Sequence, residues 1–145
     1  MKELAVKNYK TTEGQKMGQD GNTFTVKPLF PNMETGRCAA AFVEVKPGNF
    51  AFSYHYHEIN EEIFYIISGE GIVKTQKGEI KVKAGDAITF PAGAKGSHVI
   101  RNSSNTETLL YLDFGAVGKA DIVHLLDSKK VMAMGPFSHY LFDEK

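Results

Sequence analysis

Three histidines and one glutamate, His55, His57, Glu62 and His98, are the residues of this chain best suited to chemistry. Imidazole nitrogens and a carboxylate oxygen are donors that a divalent transition metal accepts in a mononuclear protein site. His55 and His57 stand two apart in a run of aromatic residues, Phe50 to His57, that is typical of a strand. Alternate residues of a strand face the same side, and two residues rise roughly 6.6 Å, so both rings can converge on one ion.

Glu62 follows a short polar break, Glu58 to Glu61, and opens the next strand-like run, Glu62 to Ile67. It can therefore lie beside the histidine pair. Glu61 competes with it for the role of ligand.

Four protein ligands leave one or two positions open on an ion that prefers five or six, which suits a Lewis acid or an oxygen-activating centre. A zinc ion held tetrahedrally by all four ligands would instead have no open coordination position. Iron, manganese, nickel, cobalt and zinc all accept this ligand set. The sequence therefore predicts one divalent transition metal ion and leaves its identity open.

The elements that must position these residues are short runs of β-branched and aromatic residues closed by glycine, proline or asparagine. Such frequent short strands without a sustained helical period predict an all-β sandwich or barrel. The first twenty residues have the weakest pattern, and we expect either a mobile arm or a strand lent to a partner subunit. The tail beyond Gly135-Pro136 is left unassigned. The predicted strands are Thr23 to Lys27, Arg37 to Lys46, Phe50 to His57, Glu62 to Ile67, Ile72 to Thr75, Glu79 to Val82, Ala87 to Phe90, Ser97 to Arg101, Thr108 to Phe114 and Asp121 to Leu126.

Length, charge and cysteine content narrow the class of protein. The chain has 145 residues, 42% of them hydrophobic, which predicts one domain over residues 1–145 with a core barrel at about 37–115. A formal net charge of zero argues against nucleic acid or an anionic membrane as the main partner. Cys38 is the single cysteine, and Met1 to Leu4 lack the apolar run of a signal peptide. We expect a cytoplasmic protein whose partner is a small molecule or a second copy of the chain.

Two groups of residues resemble the two sequence motifs of the cupins, which are double-stranded β-helix or jelly-roll barrels that bind a metal inside. The first motif is a glycine, His-x-His, a glutamate and a second glycine. This chain matches it with Gly48, His55, His57, Glu62 and Gly69, with one extra residue between Gly48 and His55. The spacing of six residues to Gly69 selects Glu62 over Glu61.

The second cupin motif is a glycine, Pro-x-Gly, a histidine and, three residues later, an asparagine. The chain has Gly85, Pro91, Gly93, His98 and Asn102, with a longer gap before the histidine than the commonest form. Together the motifs cover roughly residues 48 to 102. The resemblance implies a jelly-roll cupin barrel with His55, His57, Glu62 and His98 as metal ligands.

Cupins include isomerases, epimerases, dioxygenases, decarboxylases and non-catalytic sensors, so the fold does not settle the activity. We expect a metal-dependent enzyme of the isomerase, epimerase or dioxygenase type that acts on a small polar metabolite. The alternative is a non-catalytic cupin that binds or senses a small ligand. The sequence leaves open whether the chain is an enzyme, because it shows no clear general base beyond the ligands.

Strand alternation predicts which neighbours share the cavity face with the ligands. Ser53 and Asn102 are its expected polar groups, although Asn102 more simply closes a turn. Tyr54, Tyr56 and Tyr65 should point outward, which suggests a sheet face covered in a homodimer. His124 and His139 are expected to be packing or surface histidines, Cys38 a core residue and Lys95 a solvated loop residue.

Overall fold

The computed structural model describes residues 3–30 and 37–145, and its strands form two antiparallel sheets. The strands of the first sheet are β1 (Gln15–Gln19), β2 (Asn22–Pro28), β3 (Cys38–Val45), β5 (Glu61–Ser68), β8 (Ala87–Phe90) and β10 (Leu109–Ala116), in the order β1-β2-β3-β10-β5-β8. The strands of the second are β4 (Phe50–His57), β6 (Glu70–Thr75), β7 (Gly78–Lys83), β9 (His98–Asn102), β11 (Asp121–Leu125), β12 (Lys130–Met134) and β13 (His139–Asp143), in the order β13-β12-β11-β4-β9-β6-β7.

The core lies between the inner faces of the two sheets. Val43, Phe64 and Tyr111 come from the first sheet, and Val73 and Ile100 from the second. All five side chains are buried, and each belongs to an alternating row on its strand. The predicted all-β, double-stranded β-helix fold is confirmed.

A bulge in β4 interrupts this alternation just before the histidines. Phe52 has a positive φ of 57°, and the pairing of β4 with β9 shifts register between Ala51 and His55. As a result both Ala51 and Phe52 pack against the core. The bulge lies within the interval in which this chain has one residue more than the first cupin motif.

All ten predicted strands are present, with ends within two residues of those expected. Three further strands, β1, β12 and β13, were not predicted. Within the segment expected to be an arm, β1 pairs with β2 of the same chain, whereas residues 3–14 form no strand; residues 1–2 lie outside the described residues. In β1 and β13 every residue is exposed, which explains why neither shows a buried face in its sequence.

Helical structure is slight in the part of the chain that the structure describes. A single 3₁₀ turn, Ala94–Gly96, fills the long gap in the second motif. No helix among residues 3–30 and 37–145 has the length and apolar character needed to cross a membrane.

Gly69 joins β5 to β6, and a side chain there should destabilise the fold. Its φ is +81°, and an added Cβ would lie 2.6 Å from the Thr108 carbonyl oxygen. Gly48 has a similar φ of +79°, but an added Cβ there would have no atom within 4 Å. Replacing either glycine by alanine should lower the free energy of unfolding by about 1–2 kcal/mol because of the left-handed backbone. Gly69→Ala should lower it by at least about 1 kcal/mol more through overpacking. Equal losses in urea unfolding would contradict this account of Gly69.

Candidate metal centre

The four candidate ligands come from both sheets. His55 and His57 lie on β4, and His98 lies on β9 directly opposite His55 in the antiparallel pairing. Glu62 lies on β5 of the other sheet, because the chain crosses between the sheets in the short segment after His57. The strand period aims the two β4 histidines inward, and this crossing brings the carboxylate to meet them.

The imidazole nitrogens converge on one carboxylate oxygen. The Nε2 atoms of His98, His57 and His55 lie 3.2, 3.4 and 3.7 Å from Oε2 of Glu62. Ligand atoms of His55, Glu62 and His98 all lie within 4.8 Å of one another, which makes these three a candidate metal site. Glu61, the alternative carboxylate, is exposed.

Two buried atoms of this cluster have no hydrogen-bond partner among the described residues: Oε2 of Glu62 and Nε2 of His98. Buried polar atoms are nearly always paired, and an unpaired one costs about 1–3 kcal/mol. Ligand nitrogen and oxygen atoms that face one another without hydrogen bonds can be satisfied by binding a shared cation. The donor set therefore fits a divalent transition metal.

Main-chain carbonyls fix the tautomers of His55 and His98. The Nδ1 of His55 lies 2.6 Å from the Ser53 carbonyl oxygen, and the Nδ1 of His98 lies 2.7 Å from that of Gly96. A carbonyl oxygen can only accept, so each Nδ1 donates its hydrogen there. In the neutral ring this leaves Nε2 with the lone pair that a metal needs, directed at the centre.

His57 is oriented by a carboxylate that sequence reasoning missed. Its Nδ1 lies 2.5 Å from Oδ2 of Asp121, the first residue of β11. Asp121 is only 3% exposed, and its other oxygen accepts the main-chain N–H groups of Ile59 and Ile122. A carboxylate behind a histidine is a common support of metal sites. The only sequence signal was an acidic residue at the start of an apolar strand.

Charge interactions shift the pKa values of His57 and Glu62 in opposite directions. Burial alone would lower the pKa of His57, but Glu62 and Asp121 outweigh it and raise that pKa to about 9. Burial alone would raise the pKa of Glu62, but the three surrounding imidazoles hold it well below its usual range. Without metal, the centre therefore holds a carboxylate and a proton on His57 over most of the neutral range.

The floor of the centre is apolar. The His98 ring stacks on Phe90 with centroids 3.6 Å apart and packs edge-on against Phe64 at 5.3 Å. The side chains of His57 and Glu62 keep 17% and 15% of their surface exposed, against 2% for His98. Solvent and ligands therefore reach the centre from the side of His57 and Glu62.

Two further polar groups on the inner face of β10 were not foreseen. Gly115 pairs with Glu62, and Asp113 and Tyr111 follow at alternate positions along the same strand. Burial and the charge of Glu62 raise the pKa of Asp113 well above its usual value, opposed by His57. Burial, Asp113 and Glu62 likewise raise the pKa of Tyr111. Both groups thus belong to the electrostatic environment of the centre.

Other predicted residues lie where packing places them. Asn102 closes a turn, because its amide donates to the carbonyls of Val45 and Glu107. Ser53 supports the centre through its main-chain carbonyl, which accepts a hydrogen bond from Nδ1 of His55. The register shift in β4 interrupts the simple alternation on which the expectation for Ser53 was based. His124 stacks on Tyr56 and lies 2.6 Å from Glu58, as expected of a packing histidine. Lys95 and His139 are exposed, and Cys38 is half-buried.

The sequence model of the cupin domain matches residues 41–115, about half of the chain, which include all four candidate ligands. This chain belongs to the cupin family. The oxalate-binding protein of Thermotoga maritima is 36% identical over 77 residues, which are 53% of this cupin and 58% of that protein. This cupin therefore spans less than two thirds of the length of that curated relative.

Solved structures support the same fold. A protein of Acidithiobacillus ferrooxidans, provisionally described as a sugar phosphate isomerase, superposes with a TM-score of 0.82 at 24% identity, covering 97% of this cupin and 90% of that chain. A predicted oxalate decarboxylase of Thermotoga maritima superposes with a TM-score of 0.67 at 25% identity, covering 78% and 99%. The first of these likenesses extends the shared fold over nearly all of the chain.

The raised pKa of His57 should make the metal-free protein less stable as pH rises. The favourable interactions of protonated His57 are fully present below its ordinary pKa of 6.5 and are lost as pH rises through about 9. The free energy of unfolding should therefore fall by up to about 3 kcal/mol across this interval. Urea unfolding of chelator-treated protein measures it. Asp121→Asn should flatten the fall, and stability that is constant or rises in the wild type would contradict this assignment.

Proposed function

We propose that this cupin is a metal-dependent enzyme acting on a small polar metabolite, and that His55, His57, Glu62 and His98 hold its divalent transition metal. The observation that carries the proposal is the convergence of three Nε2 atoms on Glu62 Oε2 at 3.2–3.7 Å. The Nδ1 atoms of the same rings are engaged elsewhere. Such an ion would polarise a carbonyl, carboxylate or hydroxyl oxygen of the substrate.

His57 completes the proposed ligand set as its fourth member. Its Nε2 faces the same carboxylate oxygen as the other two rings, and Asp121 holds its Nδ1. A divalent ion bound by one carboxylate and three neutral imidazoles keeps one net positive charge. An anionic oxygen of a substrate would be attracted to that charge at the open side of the centre.

The interior favours a small carboxylate as substrate. The buried polar and charged residues in the described part of the chain are His55, Asn60, Ser97, His98, Asn102 and Asp121, with no lysine or arginine among them. The metal would thus be the interior cation, sufficient for a carboxylate, whereas a phosphate dianion would need further partners. The name of the Thermotoga maritima relative, an oxalate-binding protein, points to the same chemical class.

A second candidate function is non-catalytic binding of the same carboxylate. The 36% identity to a protein named for binding favours it. Turnover separates the two functions: an enzyme consumes the carboxylate when loaded with metal, whereas a binder is stabilised by it and forms no product.

The cytoplasmic location and the homodimer are further parts of the proposal. Tyr65 is 46% exposed on the outer face of β5, next to the exposed Ile63 and Ile67, which supports a covered face. Tyr54 and Tyr56, however, are partly covered within the chain by Lys74 and His124. Residues 1–145 would act as one domain, because the outer strands extend the same two sheets.

Metal content tests the proposed ligands. Purified wild-type protein should carry close to one equivalent of a transition metal, and His98→Ala should lose most of it because His98 supplies one of the nitrogen donors. His124→Ala is the matched control. His124 is a partly buried histidine on β11 that stacks on Tyr56 of β4 and is not a proposed ligand. Elemental analysis measures both. Full metal content in His98→Ala, or none in the wild type, would contradict the assignment.

Ligand choice tests the proposed substrate class. Oxalate should raise the melting temperature of the metal-loaded protein, because one of its carboxylate groups can bind the ion at its open side. A sugar phosphate at the same concentration should raise it less, because no buried cation pairs with its phosphate. Metal-free protein is the control. The opposite order would reject the carboxylate proposal.

A further inference from the structure

The inner face of β10 carries a carboxyl group that the proposed metal set does not use. In the pairing of β10 with β5, Gly115 lies opposite Glu62 and Asp113 opposite Phe64. Glu62 and Phe64 both face the interior, so Asp113 faces it too, one step further along the strand from the metal centre. It belongs to the same wall as Glu62.

Small residues lie opposite this carboxyl group. In the pairing of β10 with β3, Ala41 lies opposite Asp113 and Ala39 opposite Gly115. Further along, the same faces carry the buried Val43 and Tyr111, which fill the interior. Ala39 and Ala41 are only half-buried. The wall therefore carries small side chains beside Glu62 and Asp113, and large buried ones further along.

The carboxyl group of Asp113 has no hydrogen bond or ion pair within residues 3–30 and 37–145. Below it, the Tyr111 hydroxyl is buried without a hydrogen-bond partner in the same part of the chain. Other inward carboxylates are engaged: Asp121 holds His57 and two N–H groups, and Glu62 faces three imidazoles. An inward-facing polar group without a partner in the chain is available for a ligand.

We propose that Asp113 is a ligand-binding residue of this cupin, whose carboxyl group hydrogen-bonds the end of a small dicarboxylate that points away from the metal. The inference rests on the proposed function, since the metal must hold the other end. It explains why a second acidic residue, besides Glu62, faces inward from this wall.

The protonation state of Asp113 is compatible with a dicarboxylate. In the metal-free protein, burial and Glu62 raise the pKa of Asp113; burial, the larger cause, persists with metal bound and favours the protonated carboxyl group, a hydrogen-bond donor. A protonated Asp113 can donate a hydrogen bond to a carboxylate oxygen of the ligand. An ionised Asp113 would instead repel that carboxylate.

Two probes that differ in their second end test the proposal. Oxalate has a second carboxylate and acetate has a methyl group, so only oxalate can use Asp113. Calorimetry on manganese-loaded protein should show that Asp113→Ala weakens oxalate binding at least about tenfold, equivalent to about 1.4 kcal/mol. Acetate binding should change less than about twofold, and Asp113→Asn, which keeps a donor, should lose less oxalate affinity than Asp113→Ala.

Metal content and a matched variant keep the outcomes distinct. Asp127 is an exposed turn carboxylate, and Asp127→Asn should leave the affinity for oxalate unchanged.

If manganese is bound fully and Asp113→Ala and Asp113→Asn both bind oxalate as the wild type does, the role of Asp113 is overturned and the metal proposal stands. If oxalate fails to bind metal-loaded wild type, the dicarboxylate is overturned. If Asp113→Ala does not fold, unchanged oxalate binding by Asp113→Asn together with equal loss of acetate and oxalate in Asp113→Leu overturns the proposal. Wild type without metal overturns the proposed function itself.

Discussion

The structure depends on one electrostatic constraint, the carboxylate of Glu62, which is largely withdrawn from water inside the barrel. Withdrawing a carboxylate from water costs several kcal/mol unless opposite charge or hydrogen bonds compensate it. Three imidazoles from the opposite sheet surround its Oε2, and they draw its pKa well below the usual range. The two sheets must therefore stay in register across the barrel for this charge to be tolerated.

The strands beside the ligands hold each ring in place. His55 and His98 are direct partners in the pairing of β4 with β9, and each donates Nδ1 to a carbonyl two residues earlier in its own chain segment. His57 is held from the neighbouring strand β11, through Asp121. The rings are thus arranged by the backbone before any ion binds, so a metal would bind with little conformational rearrangement.

Much of the fold and of the candidate site could be predicted because the signals are local. The spacing of His55 and His57 shows their shared face, and the alternation in Glu62 to Ile67 orients the glutamate. Asp121 and Asp113 were missed because their roles depend on pairings with residues 64 and 49 positions away, Asp121 with His57 and Asp113 with Phe64. The extra residue between Gly48 and His55 marks the interval of the bulge, but no residue type there indicates a positive φ at Phe52, so the bulge was missed. The strands β1 and β13, exposed at every residue, show no periodicity.

The central claim is that three imidazoles and one carboxylate share a single ion. Anomalous X-ray diffraction from crystals of the metal-loaded protein, collected on both sides of the absorption edge of the metal, tests it most directly. The account predicts one anomalous peak between β4, β9 and β5, bonded to Nε2 of His55, His57 and His98 and to a Glu62 oxygen. A peak elsewhere, or one that leaves His57 on Asp121 without metal contact, would contradict it.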